Sequence, residues 1–513
     1  MIHRPSVLVV VPVQDNVAIA VRDLAAGERI DLAGNTITVV EDVPAGHPLA
    51  IKPIPSGQPI MEYGQPWGLS RGLGPGQRIT PERIDNRLPQ TDHAPCSRRE
   101  DVRYLPHHQV PTFEGFRRLD GRVGTRNYVV VCPTSLCASH EADRIADLAE
   151  RQFDLPANYP HVDGVVALPH NLGCGCTDGE HLSVLVRTLS NTVDHPNVAA
   201  AILIDLGCEK TNLDVFRALL DQGPDHWGKP VETIRIQRIG GTRAAIRRGL
   251  ELMPHLLNHA ERRRRTTCSA DRLVLGVECG GSDAFSGLSA NPALGHCADR
   301  LVRCGGAVVL SEVPEICGAE QVLTARCRTP ELARRVIVLS DWFKRLAGLF
   351  GQSPNENPSP GNKAGGLMNI YQKSLGAVIK AGTTPVEDVL DYAERVRTRG
   401  LTLMQSPGND PESLTGMVAA GATVCGFTTG RGTPIGHAIC PVIKIATNTP
   451  MFERMSDDMD LNAGTVLQGD ETIEQVGRRI FDVMLAVASG QRTAAERNGH
   501  REFQVWGCDR VSL

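Results

Sequence analysis

The feature that most constrains the fold of this chain is a repeated alternation of short apolar runs with longer amphipathic segments. The runs Tyr128–Cys132, Gly164–Leu168 and Ala199–Gly207 are almost continuously apolar, which predicts strands that are buried on both faces. The segments Glu141–Phe153 and Thr242 to about Arg264 have the apolar spacing of amphipathic helices. Strands that alternate with helices in this way predict a parallel sheet and an α/β fold.

The second half of the chain repeats this pattern, which predicts a second α/β domain. The predicted strands there are Leu273–Glu278, Gly306–Glu312 and Ala422–Gly430. The predicted helices are Pro330–Leu349 and Thr472–Val487, and a loop rich in Pro, Asn and Gly is predicted at Gly351–Gly366. Buried strands followed by helices again favour parallel pairing.

The first seventy or so residues differ, since they contain short apolar runs broken by Gly, Pro and Asp and no useful helical period. Val7–Val13 and Val17–Val21 are the first two of these runs, and they predict short strands of a small β domain. A chain of 513 residues exceeds what one core accommodates. We predict a β domain at 1–72, a linker at 73–112, a central α/β domain at 113–268 and a C-terminal α/β domain at 269–513.

Composition excludes several classes of function. The chain has 54 Lys and Arg residues against 58 Asp and Glu residues, a net charge of −4, so no basic excess favours nucleic acid. No apolar run approaches the roughly 18 residues that span a bilayer, and no signal-peptide pattern begins the chain. We therefore expect a cytoplasmic protein that binds neither nucleic acid nor membrane. Its 15 cysteines are then expected to stay reduced.

Several predicted strands end in a short motif that carries polar or thiol side chains, and most of these motifs contain glycine. The motifs are PTSLC with Cys137, PHNLGCGC with His170, Cys174 and Cys176, LGCEK with Cys208 and Glu209, ECGGSD with Cys279, Ser282 and Asp283, SEVPE with Ser311, Glu312 and Glu315, and TTGRGTP with Thr428, Thr429 and Arg431. Ligands of parallel α/β sheets bind beyond the carboxyl ends of the strands. The motifs therefore predict a shared ligand site.

The cysteines at these strand ends leave two interpretations open. Cys137, Cys174, Cys208 and Cys279 each follow a strand, and converging thiolates suit zinc or an iron–sulfur cluster. However, no C-x-x-C pair is present, and the long spacings equally allow cysteines that simply pack beneath the loops.

Taken together, these motifs resemble those of the altronate/galactarate dehydratase family along nearly the whole chain. The matching stretches are DNVAIA, PAGH, EYGQPWG, GRVGTRN, HNLGCGC, LGCEK, ECGGSDAFSGLSANPALG, SEVPEICGAEQVL, NPSPGNKAGG, TTGRGTP and DLNAGT. GAEQVL, ENPSPGNKAGG and SPGND favour the altronate branch. The resemblance implies an N-terminal SAF-type β-clip domain, a central α/β domain and a C-terminal Rossmann-like domain without nucleotide.

The resemblance also implies a reaction. Family members are metal-dependent hydro-lyases that remove water from a sugar acid to give a 2-keto-3-deoxy acid, using Fe²⁺ or another divalent ion such as Mn²⁺. The partner is then a small sugar acid, and a homo-oligomer, most simply a dimer, is expected. Alternatives are a sulfo-lyase acting on a sulfonated hydroxy acid, an iron–sulfur protein, and a sugar-acid-binding protein without turnover.

Candidate residues follow from this chemistry, which needs a base for the α-proton, a grip on the carboxylate and ligands for a metal. Candidate catalytic residues are His47, His170, Lys363 and Arg431, with Lys363 or His170 as the base. Candidate substrate-binding residues are Asp15, Asn16, Ser282, Asp283, Asn291, Asn362 and Thr429. Candidate metal ligands are Cys174, Cys208, Glu209, Cys279 and Glu312, with Asp283 as a further possibility.

Overall fold

The computed structural model describes residues 6–32, 35–87, 94–98, 100–220 and 228–508. Its N-terminal part consists of short antiparallel strands, as the broken apolar runs predict. These strands are β1 (Val7–Leu8), β2 (Val17–Ala20), β3 (Arg29–Leu32), β4 (Asn35–Thr38), β5 (Pro48–Ala50), β6 (Pro59–Glu62), β7 (Gln65–Ser70) and β8 (Ile84–Asp85). They pair in the orders β1-β2-β5, β3-β4 and β6-β7-β8.

The predicted strand Val7–Val13 is wrong beyond its second residue. The chain turns after β1, where the amides of Gln14 and Asp15 donate to the carbonyl of Val11 at 3.0 and 2.9 Å. The Val11 amide in turn donates to Asp15 Oδ2 at 2.8 Å. A carboxylate that accepts from the backbone in this way favours a turn over a strand.

The central part is an α/β layer around a parallel sheet. Its strands are β9 (Thr112–Arg117), β10 (Val123–Gly124), β11 (Tyr128–Pro133), β12 (Gly164–Ala167), β13 (Val198–Asp205) and β14 (Val231–Arg235). Its helices are α1 (Ser139–Gln152), α2 (Leu155–Asn158), α3 (Glu180–Val193), α4 (Leu213–Leu220), α5 (Ile236–Ile239) and α6 (Thr242–Glu261). The parallel sheet has the order β12-β11-β13-β14, so the predicted strands of this half are confirmed.

The C-terminal part contains a larger parallel sheet, with the order β18-β19-β17-β16-β20-β21-β22. The strands of this sheet are β16 (Val274–Cys279), β17 (Ala307–Leu310), β18 (Val386–Leu390), β19 (Gly400–Met404), β20 (Val424–Thr429), β21 (Val442–Ala446) and β22 (Leu461–Asn462). Strand β15 (Thr266–Ser269) instead pairs antiparallel with β9, in a small sheet of order β10-β9-β15. The helices are α7 (Ala290–Arg303), α8 (Glu320–Thr324), α9 (Pro330–Leu349), α10 (Pro360–Ala364), α11 (Ile370–Val378), α12 (Asp410–Ala419), α13 (Thr449–Arg454), α14 (Thr465–Gln468), α15 (Ile473–Ala488) and α16 (Ala494–Arg497). The α/β fold class is thereby confirmed.

One short helix lies inside the predicted loop Gly351–Gly366. Helix α10 begins after Ser359, whose hydroxyl accepts from the Asn362 amide at 3.3 Å, while Asn362 Oδ1 accepts from the Ser359 amide at 3.1 Å. This reciprocal cap, together with Pro360 in the first turn, stabilises a helix where composition alone predicts a loop.

The three parts pack against one another through shared apolar cores. Trp67 and Ile60 of the β domain belong to the same buried cluster as Leu275 and Leu294 of the C-terminal part. Residues of the central sheet likewise share a cluster with the C-terminal Phe427. Within the described ranges, no helix combines the length and apolar character required to cross a membrane.

Candidate active site

The carboxyl ends of β17, β16 and β20 lie side by side in the larger sheet, which brings three of the strand-end motifs together. The amides of Gly430 and Arg431 donate to the Gly281 carbonyl at 3.1 and 2.8 Å. The Cys279 amide donates to Glu312 Oε2 at 3.0 Å. The loops ECGGSD, SEVPE and TTGRGTP therefore form one continuous edge, at the position where parallel α/β sheets bind ligands.

A cavity of about 490 Å³ lies between this edge and the β domain. Its lining includes Arg22 from the β domain and Asp283, Arg431 and Arg454 from the C-terminal part. Among the described residues, no carboxylate forms an ion pair with Arg431 or Arg454, whereas Arg22 pairs with Glu28. Guanidinium groups bind carboxylates through parallel hydrogen bonds, so this cavity is suited to an organic acid.

Asp283 is the carboxylate in this cavity, and polar side chains position it on several sides. Thr447 Oγ1 donates at 3.1 and 3.0 Å to its two oxygens, Ser286 Oγ donates at 3.1 Å, and Asn448 Nδ2 donates at 3.1 Å. Burial nevertheless raises the pKa of Asp283 to about 6. A carboxylate with such a pKa is ionised at neutral pH and still basic enough to accept a proton from a substrate.

A group of three carboxylates lies next to this loop. Oxygens of Glu278, Glu312 and Asp410 all lie within 4.8 Å of one another. Oε1 of Glu278 and Oε1 of Glu312 are buried and have no hydrogen-bond partner among the described residues. Such orphaned buried oxygens are costly unless a cation or a shared proton satisfies them. The donor set therefore fits a divalent ion with oxygen preference.

The thiol of Cys279 belongs to an adjoining group that already contains two cations. Lys380 Nζ lies 3.0 Å from Cys279 Sγ and 2.7 Å from Glu312 Oε2, and Lys373 pairs with Glu315 at 2.5 Å. Burial raises the pKa of the Cys279 thiol well above its usual value. Cys279 Sγ and oxygens of Glu312 and Glu315 nevertheless all lie within 4.8 Å of one another, so the predicted ligand Cys279 stays a candidate beside the carboxylates.

The β domain contributes the other wall of the cavity through the PAGH turn. The carbonyl of Gly46 lies so close to Gly366 that a Cβ atom at Gly366 would be 2.1 Å from it. His47 follows in this turn and is buried, and burial lowers its pKa. Lys363 is exposed, while its neighbours Ala364 and Gly365 line the cavity. The catalytic roles of His47 and Lys363 stay predictions.

We expect this close contact between glycines to matter for catalysis. In Gly366→Ala the new methyl group would push the PAGH turn away, and Gly366 has a φ of +96°. Displacement of a cavity wall by about 1 Å is expected to lower kcat/KM on the order of 100-fold. Gly469→Ala is the matched control, because Gly469 has a φ of +76° and no atom within 4 Å. Steady-state kinetics and the free energy of unfolding of both variants test this expectation, and equal losses of kcat/KM would contradict it.

The structure does not bring all predicted metal ligands to one place. Cys279 and Glu312 lie in the C-terminal part, whereas Cys174, Cys208 and Glu209 follow strands of the central sheet. Glu209 accepts from Thr134, Ser135 and the amides of Leu206 and Gly207, at 2.7 to 3.1 Å. Its carboxylate therefore already closes the turn after β13.

His170 is engaged within the fold on both ring nitrogens. Nε2 lies 3.0 Å from the Pro133 carbonyl, and Nδ1 accepts from the Leu172 amide at 3.3 Å. Burial lowers its pKa to about 4. These contacts hold the neutral ring between two loops, so the ring fixes the loops relative to each other. The role of His170 as a base stays a prediction.

Most of the predicted substrate-binding residues have partners inside the protein. Asp15 accepts from the Val11 and Gly64 amides, and Asn16 bonds to Pro59 and Met61. Asn291 is hydrogen-bonded to Gly376 and Thr428. Asn362 is hydrogen-bonded to Ser282 and Ser359. Thr429 is hydrogen-bonded to Gly432 and Thr433. Ser282 differs, because its buried hydroxyl has no partner among the described residues. With Asp283, it is the member of the set that is best placed to meet a ligand.

Some residues of the site were absent from the predicted set. Glu278 is the next-to-last residue of an apolar strand, and its position before Cys279 was a usable signal. Asp410 begins α12 within the SPGND stretch, whereas Lys373 and Lys380 come from helical segments with no distinctive local pattern. Fold-level packing alone brings the two lysines to the strand ends.

Fold and site together define a class of protein: an α/β enzyme with a small β domain, in which an arginine-lined cavity adjoins buried carboxylates. Family models match at 6–79 (Altronate/galactarate dehydratase SAF domain), 115–261 (D-galactarate dehydratase/Altronate hydrolase, second domain) and 270–511 (D-galactarate/Altronate dehydratase, C-terminal). The chain belongs to the D-galactarate/altronate dehydratase family, and its relatives named altronate and galactarate dehydratases are hydro-lyases. The predicted family, SAF-type domain and enzyme class are confirmed.

Individual relatives support this assignment along most of the chain. The galactarate dehydratase (L-threo-forming) of Escherichia coli is 38% identical over 96% of this chain and 95% of its own length. The altronate dehydratase of Bacillus subtilis is 36% identical over 96% and 97%. The (2R)-sulfolactate sulfo-lyase subunit beta of Chromohalobacter salexigens is 33% identical over 76% of this chain and 96% of its own length.

Proposed function

We propose that this chain is a metal-dependent dehydratase of a sugar acid of the altronate or galactarate type, with a 2-keto-3-deoxy acid as product. The observation that carries the proposal is Asp283, a buried carboxylate with a pKa raised to about 6, in a cavity shared with Arg22, Arg431 and Arg454. Curated relatives named altronate and galactarate dehydratases support the same substrate class.

Different residues of the cavity have different roles in the proposed reaction. Arg431 and Arg454 bind the substrate carboxylate through charge-assisted hydrogen bonds. Asp283 takes the proton from the carbon next to that carboxylate, and hydroxide leaves the following carbon with a proton from a nearby acid. The enol that remains tautomerises to the 2-keto acid, so one water is lost overall. The α-proton is weakly acidic because the adjacent carboxylate is already negative, which is why charge stabilisation is needed.

Glu278, Glu312 and Asp410 would hold the metal ion, because their oxygens cluster and two of them are orphaned. Fe²⁺ and Mn²⁺ are both compatible with oxygen ligands. A bound divalent ion would supply electrostatic stabilisation of the negative charge that develops on the substrate. The cytoplasmic location and the dimeric assembly stay predictions from the sequence.

The direct test is an anaerobic assay with added Fe²⁺ or Mn²⁺ on altronate, galactarate and their epimers. We expect release of a 2-keto-3-deoxy acid and, in D₂O, incorporation of one deuterium at the β-carbon, the carbon that lost its hydroxyl, when the enol tautomerises to the keto acid. Sulfolactate is the competing substrate in the same panel, since one relative is a sulfo-lyase subunit. Turnover of sulfolactate alone, or binding of sugar acids without turnover, would overturn the proposal.

A further inference from the structure

Exposure separates three cysteines from all the others in the described part of the chain. Cys137, Cys174 and Cys208 are exposed, whereas the remaining cysteines are buried or, for Cys96, half-buried. Cysteine is among the residue types most often buried, so exposed thiols require an explanation. All three are free thiols, and each follows a strand of the central sheet.

The three exposed thiols belong to neighbouring loops. Strand β11 lies between β12 and β13, so the Cys137 loop lies between the loops of Cys174 and Cys208. The Leu136 amide donates to the Leu172 carbonyl at 2.8 Å, which joins the first pair of loops. Ser135 Oγ donates to Glu209 Oε1 at 3.1 Å, which joins the second pair. Residues within two positions of each cysteine therefore make these contacts.

The loops of Cys137 and Cys174 approach each other closely. Gly173 precedes Cys174 with a φ of +150°, and a Cβ atom there would lie 2.8 Å from Ser135 Cβ. A cavity of about 450 Å³ opens at this point, and both Cys137 and Cys174 line it. Gln504 of the C-terminal part lines its opposite side. Cys137 and Cys174 thus face a cavity between two parts of the protein rather than open solvent alone.

From this arrangement we propose that Cys137, Cys174 and Cys208 hold an iron–sulfur cluster through three thiolates. A single zinc ion with Zn–S bonds near 2.3 Å would require sulfurs about 3.8 Å apart. Among the described residues, these three sulfurs form no group with mutual distances within 4.8 Å. A cluster distributes its thiolates over different irons and so accepts wider spacing. The proposal does not depend on the sugar-acid function.

The surroundings of the thiols fit a negatively charged cluster. Gln237 Nε2 donates to Cys208 Sγ at 3.5 Å, and hydrogen bonds to sulfur are a means by which proteins tune such clusters. Helix α1 begins two residues after Cys137, and a helix N-terminus favours negative charge. Cys279 is not the fourth ligand, because its sulfur is buried beside Lys380 and Glu315. Three thiolates therefore leave one iron of a four-iron cluster without a protein ligand, at the cavity.

The test is anaerobic purification of the full chain and reconstitution with Fe²⁺ and sulfide. We expect a brown protein with absorbance near ~400 nm and about four irons and four sulfides per chain. Cys137→Ser, Cys174→Ser and Cys208→Ser should each lower the iron and sulfide content at least on the order of 10-fold. Cys96→Ser is the matched control, because its thiol is half-buried and belongs to a different region.

Contents of iron, sulfide and zinc are measured on the protein itself, so the result is independent of sugar-acid turnover. Thermal unfolding of each variant without cluster shows whether the serine variants remain folded. Zinc without sulfide, absence of a cluster after reconstitution, or folded variants with unchanged cluster content would each overturn the proposal.

Discussion

Replacing Asp283 by asparagine is expected to lower kcat at least ~100-fold, the lower end for loss of a general base. Asparagine keeps the size of the side chain and can still accept from Thr447 and Ser286, but it cannot take a proton. If Asp283 acts only in binding, KM should rise while kcat holds. Steady-state kinetics on the preferred sugar acid distinguish these outcomes.

The pH profile gives a second measurement for the same residue. The raised pKa of about 6 means that Asp283 is ionised above this pH and protonated below it. A base must be ionised to act, so kcat/KM of the wild type should fall as pH decreases through about 6. Asp299→Asn is the control variant, because Asp299 accepts from the Thr383 amide at 2.8 Å and lines no part of the cavity described above. A wild-type profile that is flat through this range would contradict the assignment.

Sequence periodicity predicted the strands and therefore the strand-end residues. Cys279, Asp283 and Arg431 follow predicted strands and Glu312 ends one, and all four lie along one sheet edge in the structure. The prediction rests on one physical rule, that parallel strands present their carboxyl ends at the same edge. Where this rule applies, the site could be located from the sequence.

The same rule could not show which strands share a sheet. Cys174 and Cys208 also follow buried parallel strands, so the sequence placed them with Cys279 as ligands of one metal. In the structure they lie at the edge of the central sheet, which is separate from the larger one. Apolar runs of the same composition form both sheets, and strand pairing depends on long-range packing that a local pattern does not contain.

Site residues that lie on helices could not be predicted from local sequence patterns either. Lys380 comes from a short helical segment about seventy residues after Glu312, yet their side chains meet at 2.7 Å with almost no exposed surface. Lys373 likewise reaches Glu315 from α11. A lysine within a helix ordinarily indicates a solvated face, so burial beside acids could be found only from the packed structure.

Replacing Asp410 by asparagine is expected to weaken binding of the divalent ion at least on the order of 10-fold and to lower kcat at limiting metal. Asp410 is the half-buried member of the carboxylate group, and burial raises its pKa to about 6. Asparagine removes one carboxylate and its negative charge from the group, so the attraction for a dication decreases.

Titration of the metal-free protein with Fe²⁺ or Mn²⁺ measures its metal affinity. This measurement distinguishes Asp410 as a metal ligand from Asp410 as a residue with a structural role only. Excess metal should restore part of the turnover of Asp410→Asn, whereas Asp299→Asn should resemble the wild type in both affinity and turnover. A shared proton is the other way to satisfy the orphaned oxygens of Glu278 and Glu312. In that case the wild type would bind no metal at this group, chelation would leave turnover intact, and Asp410→Asn would change neither affinity nor its metal dependence. Full activity after exhaustive chelation would therefore contradict the carboxylate group as a metal site.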